Sequence, residues 1–453
     1  MLARVVRGSI SSPSRGVRRY STVTGDVVGE LETRGLVHTL TSRALRTHLS
    51  SPRTVYSGVD PSARSLHVGN LLPLLALAHF ARCGHTPIVL VGGATGSIGD
   101  PSGRSTERNA LDPDTLTANV AAIQSQLQMF FANVATFSGK EVGVRMLNNY
   151  TWMSGVSMLD FLGEVGRHAR LTQMLARDSV ASRMEGEGMS YTEFSYQLLQ
   201  AYDFAHLHRS SGCTVQLGGS DQLGNISAGI DLIRRRMGAK AMQDDPAYGL
   251  TLPLLTTASG EKFGKSAGNA VWLEEALTSH LEFFQFFLRT PDADVARYLN
   301  ALTLLSPGEI AAVLREHDQD RSKRKAQRVL ADHMTRLIRG AEAAKTAQTL
   351  TQLVAATPDD VPQLLRQLDL HSAGSIVTRL REGEPMDVTR IAAETGLVKS
   401  RAEAKRLLSA RGLYINNAPA RVGLQEQMVQ LPRGGKAAVI RAGKSALRIV
   451  HIA

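Results

Sequence analysis

Two short stretches hold the residue types that nucleotide chemistry requires. His67-Val68-Gly69-Asn70 stands just ahead of a long apolar helical run at 71–83. The start of a helix offers unpaired backbone N–H groups and the positive end of the helix dipole, and both attract phosphate. Gly69 has no side chain to keep a nucleotide from the backbone, and Pro73 falls in the first turn, where its missing N–H costs nothing. Far downstream, Glu261-Lys262-Phe263-Gly264-Lys265-Ser266 sets two lysines three apart around a glycine. Such a cationic loop can stabilise negative charge developing in phosphoryl or nucleotidyl transfer. Alone, each stretch reads equally as a helix cap or a solvated basic turn. The pair, one after the first strand and one after the last, is far rarer than either half. A third set, Tyr196, Gln200 and Asp203, falls at i, i+4 and i+7 among Leu198, Leu199, Ala201, Phe204 and Ala205. A polar stripe on an apolar helix either lines a ligand cavity or marks a half-exposed amphipathic face.

Positioning these residues calls for strands alternating with helices. Strand-like runs at 55–59 and 87–91 flank the helical run at 71–83, the pattern of a βαβ crossover. In open α/β sheets ligands bind at the carboxyl ends of strands, which places the expected active site within 55–108. Further strand-like runs lie at 142–147, 214–217 and 250–255. Helical stretches are expected at 31–49, 116–131 (capped by Asp112), 158–167, 171–183 and 191–208. The alternation predicts a doubly wound, Rossmann-like parallel sheet. The VGGATGSIGD stretch lacks full GxGxxG spacing and follows the second strand, which argues against a nicotinamide-cofactor loop. After 269 the periodicity is helical only, at 273–288, 294–305, 307–316 and 322–347. A basic segment with a helical piece at 401–410 and a hairpin-like 413–417 closes the chain.

At 453 residues the chain calls for several domains, and 43% hydrophobic with 21% charged residues is ordinary for a globular protein. No apolar run reaches membrane-spanning length. Cys83 and Cys213 are far apart in sequence and suggest buried free thiols rather than a disulfide or zinc site. The net charge of +11 is unevenly placed. Residues 1–25 carry five arginines and no acid; from 371 onward fourteen basic residues face six acidic ones, leaving the middle at −2. The Arg-rich, Ser-rich, acid-free beginning has the composition of a mitochondrial transit peptide, expected over 1–22.

With these residues assembled, HxGN and KxxKS together resemble the class I aminoacyl-tRNA synthetases. YSGVDP at 56–61, VGGATGSIGDPSGR at 91–104, EFSYQLLQAYDF at 193–204, QLGGSDQLGN at 216–225 and KFGKS at 262–266 resemble, within that class, the bacterial and mitochondrial tyrosyl-tRNA synthetases. The resemblance implies activation of L-tyrosine by ATP with Mg2+, transfer to mitochondrial tRNA(Tyr), a homodimer and a place in the mitochondrial matrix. It implies a catalytic domain at 28–268, a helical anticodon-side domain at 269–370 and a small basic α+β RNA-binding domain at 384–453. Tyr56 and Asp203 would hold the phenol hydroxyl; Tyr196, Gln200, Asp100 and Gln222 would surround the ammonium and carboxylate. Gly58, Asp60 and Ser62 would line the adenylate path. His67, Gly69 and Asn70 would meet ATP, with Gly219, Asp221 and Gln222 on the ribose side. Lys262 and Lys265, with Phe263 and Ser266, would face the pyrophosphate, and Arg104 and Arg108 would lie on a second, mobile loop. In the tail, Arg401, Lys405 and Arg406 would bind RNA, consistent with the local +8 charge. The resemblance departs at Asn70, at Leu223 where relatives carry Trp, and at Arg104 where relatives carry lysine. Asn70 leaves a tryptophan-specific relative as one alternative; an RNA-binding or splicing factor on a synthetase fold is another.

Overall fold

The computed structural model describes residues 25–102, 111–186, 188–238, 245–260, 263, 265–266, 269–381, 387–421, 423, 428–429, 431, 436–443 and 446–452. The expected presequence lies outside them.

A six-stranded sheet carries the first half of the chain. Its strands are β1 (Thr39–Leu40), β2 (Thr54–Val59), β3 (Thr86–Val91), β4 (Arg145–Asn148), β5 (Cys213–Gly219) and β6 (Tyr248–Leu252), in the order β1-β6-β5-β2-β3-β4. All neighbours are parallel except the edge pair β1–β6. The chain runs outward from β2 through β3 to β4, returns to β5 on the other side of β2, and continues to β6. The strand order therefore reverses between β2 and β5, and a crevice opens at their carboxyl ends.

Alternation along the strands decides what each face buries. Val55, Val89 and Val91 join Leu75, Leu127 and other side chains under the helices Leu71–Arg82 and Pro113–Ser138. Tyr56, Ile88 and Leu90 face Phe204, Leu207, Ile226 and Ile230 under the helices Tyr191–Ser211 and Leu223–Met237. Each such buried side chain contributes roughly 1.5–3 kcal/mol. Cys83 and Cys213 are free and buried; burial pushes both thiols up to about 12.

Several expected elements change length. The helical spacing at 31–49 is cut by Gly35 (φ +69°), giving a helix at Val27–Thr33, the edge strand β1 and a short turn at Leu45–His48. The stretch at 171–183 forms two helices, Leu171–Leu175 and Asp178–Met184. The helix expected at 273–288 covers only His280–Leu288, because 271–273 pairs with 66–68 instead. The run at 322–347 is two helices, Lys325–Arg339 and Ala341–Ala355, broken at Gly340 (φ +88°). The helix Leu223–Met237 was not anticipated from the pattern.

The C-terminal part forms a second sheet, β11-β10-β12-β13-β9, from β9 (Val377–Leu380), β10 (Leu413–Ile415), β11 (Ala418–Pro419), β12 (Ala437–Ala442) and β13 (Ala446–Ile452). β9 lies ahead of residue 384, where the sequence placed the start of this unit, and pairs in parallel with β13. Asn416 and Asn417 both take positive φ (47° and 62°), as a tight hairpin between β10 and β11 requires. One face of the sheet packs Ala438, Ile440 and Val450 against Val388, Ile391, Ala404 and Leu408 of two small helices. The opposite face packs Val439, Leu447 and Ile449 against Leu281, Leu350, Leu353 and Val361 of the helical region.

Candidate active site

The crevice between β2 and β5 holds a cavity of about 410 Å³. Its wall includes Tyr56, Gly58, Asp60, Ser62, His67, Gly69, Asn70, Asp100, Tyr196, Gln200, Asp203, Gly219, Asp221, Gln222 and Phe263, so the expected tyrosine residues and most of the expected ATP residues share one space. Lys262, Arg104 and Arg108 lie outside the described residues, and only the backbone of Lys265 and Ser266, in the short strand Lys265–Ser266, is described.

At the inner end, Asp203 is 3% exposed. Its carboxylate accepts from Asn149 Nδ2 (3.0 Å) and Trp152 Nε1 (2.9 Å). Burial pushes the Asp203 carboxyl up to about 7, although these two donors favour its charged form. Tyr56 comes from the centre of β2, and its ring lies 5.3 Å from that of Phe204. The Tyr56 hydroxyl is buried without a hydrogen-bond partner among the described residues, and burial first, then Asp203, raises its pKa well above the ordinary value. An unpartnered buried hydroxyl beside a buried carboxylate is costly unless a ligand completes it.

Toward the middle, the Tyr196 hydroxyl donates to Asp60 Oδ2 (2.9 Å) and Thr95 Oγ1 donates to Asp60 Oδ1 (3.2 Å). Gly92 is required here: a Cβ would come within 2.4 Å of both Asp60 Oδ1 and Thr95 Oγ1. Gln222 Nε2 donates to Asp100 Oδ2 (2.7 Å), while Gln222 Oε1 accepts from Gln200 Nε2 (3.2 Å). Asn225 Nδ2 donates to Gln200 Oε1 (3.1 Å). Asp60, Asp100 and Gln200 all line the cavity and carry acceptor oxygens, the chemistry an ammonium group needs.

At the outer end, His67 caps a short turn. Its Nδ1 accepts from the Gly69 N–H (3.0 Å), and the Asn70 side-chain oxygen accepts from the His67 N–H (3.0 Å). Asn70 therefore closes the turn that the helix Leu71–Arg82 continues. A Cβ on Gly69 would meet the His67 ring at 2.8 Å.

Thr95, Asn149, Trp152, Gln216 and Asn225 belong to the cavity wall or bond to residues of it, and the sequence pattern did not single them out. Thr95, Asn149 and Gln216 line the cavity, and Gln216 Oε1 is buried without a partner among the described residues. For Asn149 the available signal was position, since it directly follows β4; Gln216 lies in the middle of β5 and carried no such signal. On the C-terminal domain, Arg401, Lys405 and Arg406 are exposed along the helix Arg401–Ser409. Among the described residues, no group of three or more His, Cys, Asp or Glu side chains is arranged to hold a metal, and no helix is long and apolar enough to cross a membrane.

A parallel sheet whose switch point joins a buried side-chain pocket to a glycine-containing turn at a helix start has the architecture of nucleotide-binding α/β enzymes. The family model described as "tRNA synthetases class I (W and Y)" matches residues 49–354. A tyrosine–tRNA ligase of Anaeromyxobacter dehalogenans is 48% identical over 329 residues, covering 73% of this chain and 76% of the relative. The mitochondrial tyrosine–tRNA ligase of Saccharomyces cerevisiae is 42% identical over 362 residues, covering 76% and 73% respectively. The crystal structure of a C-terminally truncated mitochondrial tyrosyl-tRNA synthetase from Aspergillus nidulans superposes with a TM-score of 0.67 at 36% identity, covering 72% of this chain and 93% of that one. Within the class I synthetases, the chain belongs to the tyrosyl-tRNA synthetase family.

Proposed function

We propose that the cavity activates L-tyrosine with ATP, releasing pyrophosphate, and then passes the tyrosyl group to tRNA(Tyr). The observation that carries this reading is one continuous cavity with the buried Tyr56–Asp203 pair at one end and the His67–Asn70 turn at the other. The substrate phenol would sit between Tyr56 and Asp203, giving the unpartnered Tyr56 hydroxyl a partner. The ammonium group would lie among Asp60, Asp100, Tyr196 and Gln200, with the carboxylate near Gln222. Gly58, Asp60 and Ser62 would line the path of the adenylate, and Gly219 and Asp221 the ribose side. The His67 ring and the backbone at Gly69, which has no side chain, would meet the phosphates, and Asn70 would serve them by holding the turn.

Attack of the tyrosine carboxylate on the α-phosphorus of ATP forms the mixed anhydride and expels pyrophosphate. No side chain need become covalently attached, so the rate would come from alignment and charge stabilisation. Lys262 and Lys265, with Arg104 and Arg108, would supply that charge at the leaving group. Magnesium arrives with ATP as part of the substrate. A site built to bond a hydroxyl rejects phenylalanine because its own buried polar groups would be left unpaired; tyrosyl-tRNA synthetases are the reference example of that rule.

The remaining readings have separate support. The exposed Arg401, Lys405 and Arg406 fit contact with RNA phosphates. Met158 (74% exposed), Leu159, Leu162, Leu171 and Leu175 form apolar surface on neighbouring short helices that a second copy would cover in a homodimer. The Arg-rich beginning and the similarity to mitochondrial relatives fit import into the mitochondrial matrix. The domain limits at 28–268, 269–370 and 384–453 remain our division of the chain, with β9 added to the last. The deciding experiment is amino-acid-dependent exchange of labelled pyrophosphate into ATP. Exchange with tyrosine but not phenylalanine or tryptophan is expected. Exchange with tryptophan would overturn the pocket reading, and a folded protein that exchanges with none would overturn the enzyme reading.

A further inference from the structure

The segment after β6 leaves the sheet at Pro253 and carries the lysine pair before returning to the helical region. The helical region holds it at both ends. Upstream, the Thr256 carbonyl accepts from the Tyr298 hydroxyl (3.1 Å) and from the Arg297 guanidinium. Within the segment, Phe263 is 8% exposed, and its ring lies 4.8 Å from Tyr298 and 5.4 Å from Phe286. Downstream, the Val68 N–H donates to the Val271 carbonyl (2.9 Å) and the Leu273 N–H to the Leu66 carbonyl (2.8 Å), which sets Trp272 opposite His67. Arg339, the last residue of its helix, donates to the carbonyls of Leu273 (3.2 Å), Trp272 (3.2 Å) and Thr278 (2.6 Å). Its guanidinium also lies 4.4 Å from the centre of the Phe283 ring.

We propose that Tyr298 and Arg339 are positioning residues for adenylation. They fix the two ends of the lysine-bearing segment relative to the His67 turn, and neither lines the cavity. Tyr298 acts through Thr256 and Phe263; Arg339 acts through Trp272, the residue opposite His67. The inference rests on the reading that Lys262 and Lys265 stabilise the departing pyrophosphate. A small misplacement of such charges raises the barrier to the chemical step. It leaves tyrosine binding untouched, because Tyr56, Tyr196 and Asp203 stand on β2 and the Tyr191–Ser211 helix.

The test uses the full chain with Tyr298→Phe, which keeps the ring against Phe263 and removes only the hydroxyl, and Arg339→Lys, which keeps the charge and loses the planar fork. Pyrophosphate-exchange kinetics, equilibrium tyrosine binding without ATP and Tm are measured together. In each variant kcat should fall about five- to tenfold, the loss of roughly one well-placed hydrogen bond. Tyrosine Kd should stay within about twofold, and Tyr298→Phe should melt within a few degrees of wild type. Wild-type kcat in Tyr298→Phe would overturn the proposal, as would a tyrosine affinity that falls in step with kcat. A wild-type protein without tyrosine-dependent exchange would instead overturn the reading of the site, and the proposal with it.

Discussion

The two ends of the cavity are built by opposite means. The inner end is closed: Asp203 has both oxygens occupied by donors from Asn149 and Trp152, Tyr196 is bonded to Asp60, and the groups come from strand ends and one long helix. The outer end presents the side-chain-capped turn His67–Asn70, whose own N–H groups are held internally, and, by our reading, cations on a segment tied down at its edges. Burial makes each polar group at the inner end expensive to leave unpaired, which is what selectivity for a hydroxyl needs. Charge that appears only during the reaction is better met by donors aimed at the leaving group than by contacts already satisfied before it.

Variants at either end should fail differently. Asp203→Asn should have the largest effect, lowering kcat/KM for tyrosine by about 10³, since a buried charged acceptor is lost and one donor from Asn149 or Trp152 is left opposed. Its stability offers an independent check. A carboxyl raised on folding keeps a proton that the unfolded chain has released, so ionised Asp203 destabilises the fold progressively between about pH 4 and pH 7. The stability of Asp203→Asn relative to wild type should therefore climb across that window, by at most about 4 kcal/mol, and level off above it. Denaturant titrations at pH 4.5, 6 and 8 would show this; a flat difference would mean that Asp203 is not raised.

Lys265→Ala should come next, with a loss of about 10² in exchange kcat and little change in equilibrium tyrosine binding. A comparable loss of tyrosine affinity would erase the contrast between the two ends. Tyr196→Phe removes the hydroxyl that bonds Asp60 and should weaken tyrosine binding about tenfold with a smaller effect on kcat. The mildest effect is expected outside the cavity. Replacing Arg401, Lys405 and Arg406 together by Ala should raise the KM for tRNA about fivefold and flatten its salt dependence, leaving tyrosine-dependent exchange unchanged.

How much could be read from sequence follows the same division. Tyr196, Gln200 and Asp203 were visible because one helix displays them at helical spacing, and the turn at His67 was visible because glycine and proline sit where a helix begins. Asn149 and Trp152, just after β4, and Gln216, within β5, join Asp203 and the cavity wall from different parts of the chain, so only tertiary contact unites them, and no local period records it. The sheet was legible from short strand-like runs at 55–59 and 87–91 on either side of the apolar helical run at 71–83. The helix at 31–49 was misread because apolar spacing continues through Gly35, whose left-handed backbone ends the helix. The C-terminal strands 437–442 and 446–452 were not expected: alanine and arginine interrupt their Val and Ile residues, which blurs the apolar alternation.

The sheet of the C-terminal part is covered on both faces, on one by its own small helices and on the other by Leu281, Leu350, Leu353 and Val361. Asn417 adds hydrogen bonds to the carbonyls of Leu353 and Ala356. Shortening the chain ahead of β9 would leave those leucines facing water. For anyone preparing this protein, the tail is therefore a poor place to trim: a clipped version should precipitate more readily, and in a calorimeter the tail and the helices beneath it should melt in a single transition.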